Sequence, residues 1–321
     1  MGYGLPDAEE LARVSTLFAN VGDGIENIAD ASSYMISILK GFDLAADDAQ
    51  KVADLINEVA NNEPASASDI SEILTRSGAA LHEAGNDLSQ AISLGVAMNS
   101  VTQNAESTGQ TLKTVSMYLR AAKTDLENMG ESSDGCANSV SELRSELKQL
   151  TGVDIMKDAA GTQFKSTYDI LKEISEVWGS LSDVTRANVT EMLGGKRNAN
   201  AVAAVLSQFE IAEKSMKDAA NSAGSAAKEN EVYLSSITGK LAQLDSAFQQ
   251  LSQDLLDSSL IKFFVDFATA SVDIADGAVK AAGALPTLTA AISGVLSLLQ
   301  MSGKLKNGAG KVNMPSYICC V

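Results

Sequence analysis

Apolar residues recur along most of this chain at spacings of three and four, the repeat of one helix face. Leu11, Val14 and Phe18 mark a first helix from about residue 7 to about residue 20. After a turn at 20–24, Ile25, Ile28, Ser32, Ile36 and Leu39 mark a second, closed by Gly41. Val52, Ile56 and Val59 mark a third, which stops before Pro64 because proline cannot continue a helix. Ser66 and Asp69 are caps for a fourth, with Ile70, Ile73, Leu74, Leu81 and Ala84 inward. Leu88, Ile92, Gly95 and Asn99 share the face of a fifth. Leu112, Val115, Leu119, Ala122, Leu126 and Met129 then alternate threes and fours, which predicts one continuous coiled-coil-like helix. Val140, Leu143, Leu147 and Leu150 repeat that pattern more briefly.

The stretch 153–209 breaks the rhythm. Two short runs, 153–157 and 162–166, flank Asp158 and Gly161, and glycine supplies a positive φ, so a small β-hairpin is predicted over about 153–166. The helix that follows carries Tyr168, Leu171, Ile174, Trp178 and Leu181 as one stripe. These five are the candidate core anchors, and Trp178, the only tryptophan, reads as an anchor rather than a ligand contact. Ser182 and Asp183 cap the next helix, Gly194 and Gly195 end it, and an Ala/Val-rich helix runs from Ala199 to about Ala212.

Beyond a small-residue bridge at 221–227, Leu234, Ile237, Leu241, Leu244, Phe248, Leu251 and Leu255 keep a strict alternation of 3 and 4. The pattern fits two arrangements equally: an amphipathic helix packed on the bundle, or a coiled-coil seam with another copy of the chain. Residues 281–303 contain no charged side chain and are long enough to cross a bilayer, but Pro286, Gly283 and Gly294 suit a buried bundle helix as well. The predicted fold is all-α. A compact multi-helix bundle occupies 1–215, a long heptad-patterned helix 216–275, a hydrophobic helical segment 276–303 and a frayed tail 304–321.

Composition narrows the chemistry. The formal charge of −17 opposes direct phosphate or nucleic-acid binding, which needs a basic face. Aromatics are only 5%, so the bundle packs through small side chains. The N-terminus has no basic region followed by an apolar one, so it is not a secretory signal, and the cytoplasm is the default site of synthesis. Cys136, Cys319 and Cys320 match neither a disulfide framework nor metal spacing, and no cofactor is implied. His82 lies mid-helix among alanines without a nucleophile motif, so no enzyme is expected. Gly194, Gly195, Lys196 and Arg197 resemble a phosphate loop only superficially: the first glycine, the preceding strand and the following Ser or Thr are missing. A helix stop followed by a basic turn is the better reading.

The order of these segments is similar to the core region of phage tail tape measure proteins. The matching pieces are LFANVGDGIENIADASS at 17–33, LKGFDLAADDAQKVADLINEVANN at 39–62 and SGAALHEAGNDLSQAISL at 77–94. ESTGQTLKTVSMYLRAAKTDLENMGE at 106–131 and SELRSELKQLTGVDIMKD at 141–158 follow. The most specific piece is FKSTYDILKEISEVWGSLSDVTRANVTEMLGGKRNANAVAAVLSQF at 164–209, and 221–251 completes the series. The resemblance implies a structural virion protein, present in several copies in the tail tube lumen. Its length would set tail length, and it would leave the tube ahead of DNA at infection. It implies self-association through the heptad helix, and tail tube, tail tip and tail assembly chaperone proteins as partners. Some relatives carry cell-wall hydrolase domains, which no segment here matches. The final residues match nothing in the family pattern, so a fragment is expected. A membrane-active role, with insertion through 260–303, stands as the alternative function, and membrane contact at 281–303 is compatible with both.

Overall fold

The computed structural model describes residues 5–236, 239–244 and 246. Contacts divide the chain into two units, Met1–Tyr233 and Leu234–Val321. Among the described residues the structure is all-α, with twelve α-helices and one 3-10 turn.

The first unit opens with α1 (Leu5–Val21), α2 (Ile28–Gly41), a 3-10 turn at Ala46–Asp48, and α3 (Ala49–Asn62). Then come α4 (Ala67–Glu83), α5 (Leu88–Thr102), α6 (Ala105–Tyr118), α7 (Lys123–Asn128) and α8 (Val140–Thr151). The last four are α9 (Thr167–Trp178), α10 (Asp183–Ser207), α11 (Glu210–Ala220) and α12 (Ser225–Ser235). Side-chain caps set the starts. The Ser66 hydroxyl accepts from Asp69 N–H at 3.0 Å while Ser66 N–H donates to the Asp69 carboxylate at 3.2 Å. Asp87 and Gln90 repeat this reciprocal pair at α5. Ser139, Ser166 and Ser182 cap α8, α9 and α10. Each cap satisfies an N–H that the helix itself cannot, worth about 1 kcal/mol.

Helix α5 is the centre. Its residues from Ala91 to Asn99 are all buried, so no face of its middle turns is left to solvent. Around it pack α4, α6, α9, α10 and α11. Close approach is possible because the interface residues are small. A Cβ on Gly109 of α6 would lie 2.9 Å from the Arg76 Cβ and 3.0 Å from the Ile73 carbonyl on α4, the helix against which α6 packs most extensively. Buried Ser71, Ser77 and Ser116 donate to carbonyls one turn back on their own helices, at 2.7 to 2.9 Å. Their hydroxyls thus enter the core without an unpaired donor.

Four expectations change. The hairpin at 153–166 is absent: the described residues contain a single antiparallel bridge, Met156 with Phe164, and no strand. Only Lys157 N–H to Gln163 O (2.8 Å) and Lys165 N–H to Ile155 O (2.9 Å) join the arms. The Asp158 carboxylate takes the N–H groups of Thr162 and Gln163, each at 2.9 Å, and Ser166 begins α9, so no residues remain to extend a ladder. The continuous helix over 112–129 is broken after Tyr118, where Ala121 adopts φ +51°. In α2 the inward residues are Ala31, Met35, Ile38 and Leu39, and Ile28, the first residue after the Asn27 cap, is exposed, because the helix turns the other face to α1 and α4. The long heptad pattern is also interrupted: α12 ends at Ser235, Ser236 lies in a bend, and its hydroxyl accepts from Gly239 N–H at 3.1 Å. Residues 276–303, with the uncharged segment, lie outside the described residues, as does the tail 304–321. Among the described residues no helix is long and apolar enough to cross a membrane.

Candidate functional site

Two features singled out by sequence, the α9 stripe and the double glycine, meet at α10. On α9, Tyr168, Leu171, Ile174 and Trp178 are buried, and Leu181 in the following turn is half-buried. Their spacing puts them on one face, and that face packs on α10, α5 and α8. Trp178 Nε1 donates to Ser207 Oγ at 3.0 Å, tying α9 to the far end of α10. Arg186 donates to the Trp178 and Gly179 carbonyls at 3.0 Å each and lies 5.6 Å from the indole centroid. It thereby satisfies the exposed carbonyl end of α9 with a cation, as the helix dipole favours. The Tyr168 and Phe209 rings sit 5.2 Å apart at 58°, and burial raises the Tyr168 phenol above its ordinary range.

Gly195 splits α10. Its φ of +71° and ψ of 173° lie outside the helical region and favour glycine. Space demands glycine as well: a Cβ there would meet Tyr118 Oη at 2.7 Å and the Asp134 carbonyl at 3.0 Å. The helix restarts with Lys196, Arg197 and Asn198, and Asn198 Nδ2 donates back to Gly194 O at 2.9 Å. This break forms one wall of a cleft of about 330 Å³, shared with Gln110, Thr114 and Tyr118 of α6 and with Glu131, Ser132 and Asp134. Buried Tyr118 donates from its hydroxyl to the carbonyls of Ser132 (2.9 Å) and Asp134 (3.0 Å). Burial, chiefly, pushes its pKa up to about 12. Gln110 also donates to Glu131 across the cleft. Lys196 is paired with Glu191 at 3.6 Å, so acidic and basic groups are interleaved rather than massed for an anion. Thr114 spends its hydroxyl on the Gln110 carbonyl. The lining contains no histidine or cysteine, and its polar groups hold α6, α10 and the 131–134 loop together.

His82 is exposed and meets Phe42 edge-on at 5.8 Å. Cys136 is buried beside Tyr118 and Leu126, where burial pushes its thiol up; Cys319 and Cys320 lie outside the described residues. No group of His, Cys, Asp and Glu suited to a metal occurs among the described residues. Of the candidate seam, Leu234 is exposed at the end of α12, Leu241 is half-buried and Leu244 buried, the last two in the helical stretch 239–244. Ile237, Phe248, Leu251 and Leu255 lie outside the described residues.

The structure adds side chains that periodicity did not flag. Arg120, just past α6, donates to the carbonyls of Ala84 (2.5 Å) and Lys165 (3.0 Å) and stacks 4.3 Å from the Phe164 centroid. Burial lowers its pKa to about 10, which still leaves it charged at neutral pH. Arg144 grips Asp154 through two hydrogen bonds of 2.8 Å, holding that carboxyl well below the usual range. Arg144 and Asp154 are ten residues apart with a turn between, a spacing that no helix-face rule covers.

The sequence model described as "Phage-related minor tail protein" matches residues 1–195, well over half the chain. The chain belongs to the phage-related minor tail protein family. The matched span takes in α1 to α9 and ends at Gly195, the break in α10. A further similarity extends past it: the "Probable tape measure protein" of Halomonas phage phiHAP-1 is 24% identical over 316 residues. That alignment covers 93% of this chain and 34% of the relative, so the chain spans about a third of the relative's length. No solved structure matches. Family membership makes the chain a phage tail protein, and the all-α fold is the architecture this member adopts.

Proposed function

We propose that the chain is part of the tail-length ruler of a phage or prophage, occupying the tail tube lumen until DNA ejection. The observation that carries this is the alignment to a probable tape measure protein along 93% of the chain. Two physical features support it. A net charge of −17 keeps the chain from binding DNA that must pass the same tube. No proline occurs between Pro64 and Pro286, so that interval can lengthen as helix without a break. The ruler would assemble in the host cytoplasm with tube, tip and chaperone proteins and self-associate through its heptad residues. It would act structurally, without catalysis. The test is an in-frame deletion of 210–235 in the phage gene. Tails measured by electron microscopy should shorten by about 40 Å, at 1.5 Å per helical residue. Tails of unchanged length would overturn the ruler role.

The uncharged run 281–303 supports a second reading, contact with the inner membrane during DNA passage. The full chain should then float with liposomes and a chain lacking 281–303 should not. Sedimentation of both away from lipid would remove this reading.

A further inference from the structure

Between α6 and α8 the chain leaves the bundle and comes back to it. It departs after Arg120, which is fixed by its bonds to the Ala84 and Lys165 carbonyls, and turns at Ala121 with φ +51°. It returns at Asn138, whose N–H donates to the Glu142 carboxylate at 2.9 Å. Lys123 Nζ donates to Asn138 Oδ1 at 3.0 Å, so the two ends meet. Residues 123–138 thus form a closed loop of the kind that packs on its own side chains. Within it, Ser133 donates to Glu127 at 2.9 Å and Glu131 N–H to the Leu126 carbonyl at 2.9 Å. Its buried residues are Leu126, Cys136 and Ala137. Leu126 and Cys136 form a small cluster with Tyr118, separate from the main core, and Ala137 alone of the three reaches that core. Two side chains of α6 hold the loop down: Tyr118, through the Ser132 and Asp134 carbonyls, and Gln110, through Glu131.

From this arrangement we infer that 123–138 is a flap: it lifts from α6 and α10 as one piece, about its fixed ends, while the bundle stays folded. A helix of the main core cannot leave without exposing a stripe of large apolar side chains, as α4 would expose Ile70, Ile73, Leu74 and Leu81. The flap uncovers a leucine, a cysteine, an alanine and the tyrosine ring beneath them. Its hydrogen bonds to α6 are exchanged for bonds to water at small net cost. Such a segment opens at a lower free energy than the bundle as a whole. Opening also changes the cleft. Both carboxylates of its lining, Glu131 and Asp134, lie on the flap, and both cations, Lys196 and Arg197, lie on α10. With the flap down the lining is balanced. With it up, Lys196 and Arg197 remain, with Glu191 beside Lys196, and the Tyr118 hydroxyl and Gln110 amide are released as donors. The flap thus gates a basic, donor-lined face. This gate stands whether or not the ruler reading does.

Cys136, on the inner side of the flap against Tyr118, reports the opening. Labelling of the intact chain with N-ethylmaleimide, read at the Cys136 peptide by mass spectrometry, measures it. In the wild type this thiol should react on the order of a hundredfold more slowly than in the urea-unfolded chain. Its rate should stay level in urea below the unfolding transition, because flap opening exposes little surface. Tyr118→Phe, which keeps the ring and removes two hydrogen bonds, should raise the rate about tenfold without bringing in a urea dependence. Gln110→Ala should raise it less, and decides the matter alone should Tyr118→Phe fail to fold. A wild-type thiol as reactive as that of the unfolded chain, a rate that climbs with urea in step with global unfolding, or a rate that neither variant changes would overturn the flap.

Discussion

Trp178 and Tyr118 are each fixed by one polar atom and a buried ring. Trp178 joins α9 to Ser207 and packs under Arg186, so its removal leaves a cavity and frees two helix ends at once. Trp178→Ala should cost about 3–5 kcal/mol in urea unfolding followed by circular dichroism. Tyr118 has its pKa raised, so its contribution is present below the ordinary tyrosine value and is lost as pH rises through the folded one. Stability should fall between about pH 10 and about pH 12, because ionisation removes the proton that Ser132 and Asp134 accept. In Tyr118→Phe that share of the alkaline loss should disappear, at a neutral-pH cost of about 1–2 kcal/mol. An unaltered alkaline limb in the variant would show that other groups cause it.

Among the helices, caps are written locally while rotation about the helix axis and some breaks are not. Ser66, Asp87, Ser139, Ser166 and Ser182 all start helices, and each is legible because a cap needs only its own next three residues. The rotation of α2 and the interruption at Leu119 to Ala122 depend on what lies opposite. Heptad spacing carries across Leu119 unbroken, yet Arg120 is drawn to carbonyls 36 and 45 residues away and the chain turns to let it reach them. The turn leaves Ala121 in the left-handed region, at a cost of about 1 kcal/mol for an L-residue. Ala121→Gly should therefore raise stability or leave it level, by up to about 1 kcal/mol, whereas Ala97→Gly within α5 should lower it by about that much or more. Thermal melts of the two variants moving together would contradict this account of the break.

Within the first unit, one apolar core organised on α5 takes in every α-helix but α7, whose Leu126 joins Tyr118 and Cys136 in a separate cluster, and the described part of the heptad pattern begins beyond it. The break at Ser236 separates Leu234 from Leu241, so pairing between copies would rest on Leu241 and the heptad positions after it. Sedimentation equilibrium should detect self-association at high concentration, and Leu241→Asp should return the chain to monomer. A wild-type monomer under the same conditions, unchanged by the substitution, would remove the seam and with it the multi-copy part of the ruler proposal.

By itself the amino-acid order determined the all-α class, most helix starts and stops, the break at Gly195, and membership of a tail protein family. Each of these depends on short-range rules: a 3.6-residue period, a cap within three residues, a glycine where φ is positive, or a linear match to relatives. Only the tertiary structure decided that 153–166 closes on Asp158 instead of forming strands, that 112–129 bends, and that Asp54 caps a helix from the far end of the chain. The first turns on an aspartate whose bonds, four and five residues long, take the place of a ladder, and the other two on hydrogen-bond partners brought together across tens to hundreds of residues, where sequence spacing carries no information. The polar contacts beneath α12 are long-range too, since asparagines at 57 and 61 look like ordinary solvent-facing positions until Glu229 is placed beside them.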